Sequence, residues 1–380
     1  MLALRTQDYR HHQHTILQEQ RKMSVPDQMQ AWKCQIGHGK PLRVQVPTPK
    51  PGPDDVLVKI LAMGVCHSDC TILGIKESMY GMANEFVLGH EGAGEIAQVG
   101  SNVDSNLYKP GDRVGLYLVA GCLKPSCPEC SRGLQQLCKS EGGAYGIGRE
   151  GFFAEYAAVS ARSVFRLPDG LEMPLAAVSA DAVLTAYHAV KVTAAVKPEQ
   201  TVAILGLGGL GMNALQTALH LGVKRVLVID KRRETVDEAV RLGVRPEDAF
   251  CTDDPGAKKL HEVVAERQMA IDTCIDLVGH ADTVLSAQLA LRPAGRLVLV
   301  GLLSEQAPLI PVVFVPNGLS IQASYSGSVQ SYEECLDLMG KGVLRPKVQT
   351  GSIEDLPQVL ERLDEGKIQG RMVLLPNWKR

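Results

Sequence analysis

Residues 201–216, TVAILGLGGLGMNALQ, constrain the fold more than any other stretch of the chain. An apolar run of β character leads straight into Gly206, Gly208 and Gly211, spaced G-x-G-x-x-G, and an apolar pattern at helical spacing follows. Glycine at 206 permits a sharp turn out of the strand, glycine at 208 lets backbone approach a ligand, and glycine at 211 lets the helix pack closely. Gly209 and Leu210 complete a loop whose amides stand at the positive end of the helix, where a pyrophosphate is stabilised. The next apolar run, RVLVID, ends in Asp230, a carboxylate placed to accept hydrogen bonds from an adenosine ribose. The expected ligand is therefore a dinucleotide, NAD. Lys231, Arg232 and Arg233 would attract the extra phosphate of NADP, but Asp230 beside it would repel it.

The alternation continues through NALQTALHLG, ETVDEAVRLG, CIDLVG and RLVLVG, which predicts a doubly wound parallel sheet. Its strands are apolar almost throughout, as required when helices cover both faces. Upstream, VLVKILAMGV, GEIAQVG and KPGDRVGLYLV read as short strands punctuated by Gly and Pro. From Leu175, AAVSADAVLTAYHAV has the spacing of a linking helix, and beyond Gly327 the segments ending in GRMVLL are expected to rejoin the first domain. The chain thus reads as α/β: a β-rich domain from 29–182 and 327–380, with a doubly wound domain inserted at 183–326. Residues 1–28, polar and rich in Gln and His, read as a disordered extension.

The partner class follows from charge. With 40 basic and 42 acidic residues mixed along the chain, nothing favours nucleic acid or a membrane surface, and a small molecule is expected. No apolar run reaches the roughly 18–20 residues of a membrane span, nor is there a signal-type segment, so a cytoplasmic location is expected.

Ten cysteines in 380 residues point to metal rather than to a disulfide scaffold. Cys127, Cys130 and Cys138 in CPECSRGLQQLC have the short spacings of a structural zinc lobe, with Cys122 nearby as a fourth thiolate. Apolar periodicity vanishes around them, as in a lobe held by an ion rather than a core. A second, dispersed set comprises Cys66 and His67 in GVCHSD, His90 and Glu91 in GHEGAG, and Asp181 in SADAVLTAY. Dispersal suits a catalytic metal, where three protein ligands leave a position at which an alcohol oxygen loses its proton near neutral pH. Taken singly, Cys66 also reads as a small buried hydrophobe, His90 as a core histidine and Asp181 as a helix cap.

The ordered set GVCHSD, GHEGAGEI, KPGDRV, the cysteine lobe, FAEYA, AYHAV, GLGGLG and GKIQGRMVL resembles the zinc-dependent medium-chain alcohol dehydrogenases, from about Ala31 to the C-terminus. The resemblance implies a GroES-like catalytic domain with an inserted Rossmann domain, one catalytic and one structural zinc, NAD, and a homo-oligomer, dimer or tetramer. It implies reversible oxidation of a primary or secondary alcohol to an aldehyde or ketone. In that pattern Cys66, His90 and Asp181 are catalytic-zinc ligands, Asp181 standing where the third ligand is often Cys and sometimes Asp. Glu91 matches an exchanging carboxylate, Asp69 the group that orients His90, and Ser68 the hydroxyl that takes the alcohol proton. His67 and Arg371 match contacts to the pyrophosphate.

Three positions depart from the pattern. Cys70-Thr71-Ile72 stands where many relatives carry a relay histidine, leaving the ribose, Thr71 or water to end the relay. Four residues rather than two separate Cys122 from Cys127, so a longer loop must close the tetrahedron. Leu118 replaces a bulky aromatic of some small-alcohol enzymes, which implies room for a larger substrate. Two alternatives remain open: an NADPH-preferring reductase of carbonyls, including cinnamyl-aldehyde-type substrates, and a non-catalytic NAD-binding protein, which the Cys66, His90 and Asp181 set disfavours.

Overall fold

A computed structural model describes residues 25–78, 81–140 and 143–379. Residues 1–24 of the polar leader lie outside the described residues; the first strand begins at Gln28.

Six parallel strands lie side by side in the order Ala249–Cys251, Arg225–Asp230, Thr201–Leu205, Ile271–Asp276, Leu291–Leu299 and Ser320–Ala323. Their side chains alternate between two cores, as a period of two requires. Val202, Ile204, Val226 and Val228 pack with Ala214, Leu215, Val236 and Ala239 of helices Gly209–His220 and Arg233–Arg241. Ala203, Leu205, Leu227 and Ile229 pack with Leu260, Val264, Val284 and Ala287 of helices Leu260–Glu266 and Ala281–Ala290 on the other face. The strand order reverses between Thr201–Leu205 and Ile271–Asp276, and at that reversal the carboxyl ends of the strands open a crevice suited to a dinucleotide.

The remaining sheets are mainly antiparallel. The long strand Asp55–Val65 is the hub: it pairs with Glu91–Val99, Tyr156–Ser160 and the C-terminal strand Arg371–Leu375. A three-stranded sheet, Leu42–Pro47, Gln28–Gln35 and Glu85–Val87, packs alongside. The C-terminal segment therefore returns to the first domain, in a register that brings distant polar residues together. Gly64 faces Glu91, and Val65 faces Met372, so Cys66, His90 and Arg371 emerge at one end of three adjacent strands.

The expected linking helix is interrupted. Helix Met173–Ala177 gives way to a tight turn, and helix Leu184–His188 starts afresh. Asp181 breaks it with φ −127° and ψ −71°, outside the helical region, while its carbonyl accepts the amide of Thr185. Alanine and valine keep the apolar pattern going on both sides, which is why spacing alone predicts one helix. Among the described residues no single helix is long and apolar enough to cross a membrane.

Candidate active site

The strand ends converge with the broken helix on one buried point. Ligand atoms of Cys66, His90, Glu91 and Asp181 all lie within 4.8 Å of one another. Asp181 Oδ2 is 3.3 Å from Cys66 Sγ and 3.7 Å from His90 Nε2. Asp69, fully buried, accepts the backbone amide of Cys66 at 2.9 Å and faces His90 Nδ1 at 3.1 Å. One carboxylate thus sets both the Cys66 backbone and the His90 ring, leaving Nε2 to point into the cluster.

The electrostatics suit a cation. Burial works against charge on Asp181, yet the hydrogen bond from His90 and the Arg371 guanidinium hold it well below the usual carboxylate range. Burial likewise disfavours a charged imidazole, but Asp69 and Asp181 on its two nitrogens raise His90 above the ordinary histidine value. Glu91 is sealed in by the absence of a side chain at Gly64, where a Cβ would come within 1.8 Å of Oε2. Burial pushes the Glu91 carboxyl up to about 8 against the pull of Arg371. Among the described residues neither Glu91 oxygen has a hydrogen-bond partner, although Arg371 Nη2 pairs with Oε1 as an ion at 2.7 Å. Buried carboxylates, a thiol and an imidazole facing one point are the donor set of a zinc site. Losing the Asp69 contact should weaken metal binding through the His90 ring, so Asp69→Asn is expected to lower zinc affinity roughly 10–100-fold in a chelator competition titration.

Arg371 links this cluster to the glycine loop. Its Nη2 contacts Asp181 Oδ2 at 2.6 Å, while its Cδ lies 3.0 Å from where a Gly209 Cβ would stand. Its Nε is buried without a partner, a donor left for an anion. Burial and the Arg371 guanidinium lower the His67 pKa. Ser68 Oγ is 3.7 Å from Cys66 Sγ and faces the cleft. The Thr71 hydroxyl donates to the His67 carbonyl at 3.1 Å and is not among the cleft-lining residues.

In the glycine loop, Gly206 has φ +89°, and a Cβ at Gly211 would lie 1.9 Å from the Gly206 carbonyl oxygen, so close helix packing demands glycine there. At Gly208 a Cβ would meet nothing nearer than Arg232 Nη2 at 3.9 Å, leaving the loop open to a ligand. Asp230 Oδ2 accepts the Leu207 amide at 2.6 Å, and Oδ1 accepts the Arg232 amide and Nε at 2.9 and 3.1 Å. Burial opposes its charge, but these bonds hold its pKa below the usual value, so the carboxylate stays ionised at neutral pH. Arg233 pairs with Asp254 and Asp237.

The cleft, about 100 Å³, is lined by Cys66, Ser68, His90, Leu118, Ile147, Asp181 and Thr185, together with Leu210, Val300, Leu302, Ser324, Tyr325 and Ser326. Of the second group only Leu210 is legible in the sequence; Val300, Leu302, Ser324, Tyr325 and Ser326 are not. Their one signal is the hydroxyl-rich run SYS at 324–326, directly after the last parallel strand. A larger groove, about 340 Å³, runs along helices Gly209–His220 and Arg233–Arg241 and shares no residue with the cluster of Cys66, His90, Glu91 and Asp181.

The second cluster is the cysteine lobe. Sulfurs of Cys122, Cys127, Cys130 and Cys138 all lie within 4.8 Å of one another, with Cys122–Cys130 at 3.9 Å and Cys127–Cys138 at 3.8 Å. A tetrahedron with zinc–sulfur bonds of ~2.3 Å has edges of about 3.8 Å, so the lobe fits the ion. The longer loop closes because Leu123 adopts φ +52°, turning its own side chain out to solvent while Cys122 stays buried. The backbone amide of Lys124 lowers the Cys122 thiol to about 7, favouring the thiolate a metal needs.

These features match known proteins along most of the chain. Residues 52–169 match the family described as alcohol dehydrogenase GroES-like domain, and residues 209–341 match the zinc-binding dehydrogenase family. An alcohol dehydrogenase of Geobacillus stearothermophilus is 35% identical over 336 residues, covering 87% of this chain and 94% of the relative. Among solved structures, the acetophenone reductase of Geotrichum candidum in complex with NAD aligns with TM-score 0.82 and 31% identity over 93% of this chain and 98% of its own. The alcohol dehydrogenase of Aeropyrum pernix aligns with TM-score 0.81 and 30% identity over 91% of this chain and 100% of its own. With both family matches in order, relatives above 30% identity along their length, and clusters of zinc-type donors, the chain belongs to the medium-chain, zinc-type alcohol dehydrogenases.

Proposed function

We propose that this protein is a zinc-dependent, NAD-linked alcohol dehydrogenase that interconverts a primary or secondary alcohol and its aldehyde or ketone. The observation that carries the reading is the convergence of Cys66, His90 and Asp181 on a cleft shared with Leu210 and Val300 of the dinucleotide-binding fold. Residues 183–326 then form the cofactor domain, and 29–182 with 327–380 the catalytic domain.

Cys66, His90 and Asp181 would hold the catalytic zinc, and the four lobe cysteines the structural one. Bound zinc supplies Lewis acidity and NAD the hydride acceptor. The rest belongs to the chain. A thiolate and a carboxylate balance a doubly charged ion, and Asp69 fixes the imidazole that completes the set. Ser68, facing the cleft, receives the alcohol proton at Oγ and passes it outward, which needs no shifted pKa. Leu118, Ile147, Val300 and Leu302 keep the cleft apolar, which limits water at the reacting carbon. Arg371 Nε, beside the glycine loop, and the His67 ring would meet the pyrophosphate, while Asp230 takes the ribose.

The pairing of Arg232 with Asp230 and of Arg233 with Asp254 withdraws two cations that would otherwise attract the phosphate of NADP. NAD is therefore the expected cofactor, and Asp230→Asn, which frees Arg232, is expected to narrow the NAD-to-NADP ratio of kcat/KM about tenfold. Parallel titration of the two cofactors measures it; an unchanged ratio contradicts the assignment.

We place the protein in the cytoplasm as a homo-oligomer. Edge strand Ser320–Ala323 has every residue exposed, and helix Pro311–Asn317 beside it buries none while presenting Val312 and Val315 at 78% and 79% exposure. An unpaired edge flanked by apolar side chains seeks a second copy. Val312→Asp with Val315→Asp is expected to shift the light-scattering mass to that of one chain; an unchanged mass contradicts this interface.

The activity itself is tested by following NADH absorbance with a panel of primary, secondary and aromatic alcohols. Acetophenone, the ketone for which the Geotrichum candidum reductase is named, serves for the reverse direction. NADH formation that stops on zinc removal is the expected result. Zinc-replete protein that turns over no alcohol or carbonyl contradicts the proposal.

A further inference from the structure

The third ligand position carries an aspartate, and a carboxylate has a choice that a thiolate lacks: it can offer an ion one oxygen or two. Two oxygens at roughly 2.0–2.2 Å would fill the position that substrate needs. In this chain the two oxygens are not equivalent. Oδ2 faces the cluster, 3.3 Å from Cys66 Sγ and 3.7 Å from His90 Nε2. Oδ1 accepts the Thr185 hydroxyl at 2.9 Å. Thr185 lies four residues on, in the first turn of helix Leu184–His188, and its amide donates to the Asp181 carbonyl at 2.8 Å. A helical threonine ordinarily returns its hydroxyl to the carbonyl of the preceding turn. Here the broken helix places the Asp181 carboxylate where that hydroxyl reaches it instead. Thr185 is buried and lines the cleft, so water does not readily replace its bond.

We infer that Thr185 is a positioning residue that ties Asp181 Oδ1 away and makes Asp181 a one-oxygen zinc ligand, preserving the open coordination position. The inference rests on the zinc-site reading above. Turning Oδ1 toward the ion would break a buried hydrogen bond and leave the Thr185 hydroxyl without its acceptor, whereas Oδ2 already stands among the other donors. The Thr185 β-branch restricts its rotamers, which keeps the hydroxyl aimed.

The test is cobalt exchanged into the catalytic site while zinc remains in the cysteine lobe. Cobalt(II) absorption is stronger in four-coordinate sites than in five-coordinate ones, and it reads geometry without reference to turnover. Thr185→Val and Thr185→Ala, which both lack the hydroxyl, are expected to show visible bands about threefold weaker than the parent as the second oxygen swings in. Thr185→Ser is expected to retain the parent spectrum. Two hydroxyl-free variants guard against one failing to fold, which circular dichroism reports directly. A parent-like spectrum in either folded hydroxyl-free variant overturns the inference, and so does a Thr185→Ser spectrum as weak as theirs. Failure of the zinc-site reading looks different: the parent protein would show no cobalt–thiolate band that Cys66→Ser removes.

Discussion

Cys66→Ser is expected to take the metal content from two zinc ions per chain to one and to lower turnover by at least about 10³-fold, with the fold retained. The serine hydroxyl is neutral at any pH where the protein is folded, so it supplies neither the soft sulfur nor the negative charge that, with Asp181, balances the ion. The site does not re-form around the neighbours. Asp181 would be left with Arg371 at 2.6 Å as its cation, and the carboxylate–guanidinium pair then satisfies itself without metal. Elemental analysis beside steady-state kinetics reads both effects. Two zinc ions retained with turnover within a few fold of the parent would contradict the site assignment.

Cys127→Ser should act on stability instead. The segment around the four cysteines has little else to hold it: the sulfurs are its own small buried cluster, and short 3₁₀ turns, Cys130–Arg132 and Gln135–Leu137, connect them. In such a lobe metal binding is folding free energy, about 10–16 kcal/mol in zinc-finger peptides. Only part of that is transmitted to the rest of the chain, so a fall in Tm on the order of 10 °C is expected. Limited proteolysis should cut first between 122 and 138. The catalytic zinc should remain, with residual turnover well above that of Cys66→Ser. A lobe as protected as in the parent would show that the sulfurs hold no ion there.

How much is legible in the sequence depends on the range of the forces involved. The central strands of the parallel sheet, such as Thr201–Leu205, are apolar on both faces, and the glycine loop is local chemistry, so both read directly. The flanking strands Ala249–Cys251 and Ser320–Ala323 do not, because they are short and the latter is exposed throughout. The helix interruption at Asp181 is hidden by the alanines and valines around it, although that backbone break lets the carboxylate reach Cys66.

The dispersed cluster residues show the same limit. Cys66, His90 and Asp181 each have a plain structural reading, and only the register that sets Gly64 against Glu91 and Val65 against Met372 brings Cys66, His90 and Arg371 together. The family pattern points Arg371 at the pyrophosphate; its contact with Asp181 and Glu91 is not legible, because it depends on the C-terminal strand pairing with a strand some 300 residues earlier. For Cys122 the extra residues lengthen the loop, and a single left-handed residue, Leu123, brings that sulfur into the tetrahedron. The rest of the cleft lining carries almost no signal, because Val300, Leu302 and Tyr325 are ordinary residue types until folding brings them to the same cleft as His90.

The most direct measurement is an anomalous-difference map at the zinc edge from crystals of the zinc-loaded protein. Two peaks per chain are expected, one bounded by Cys66 Sγ, His90 Nε2 and a single oxygen of Asp181, the other by the sulfurs of Cys122, Cys127, Cys130 and Cys138. A map with the lobe peak alone, and Arg371 still bridging Asp181 and Glu91 at full zinc loading, would contradict this expectation.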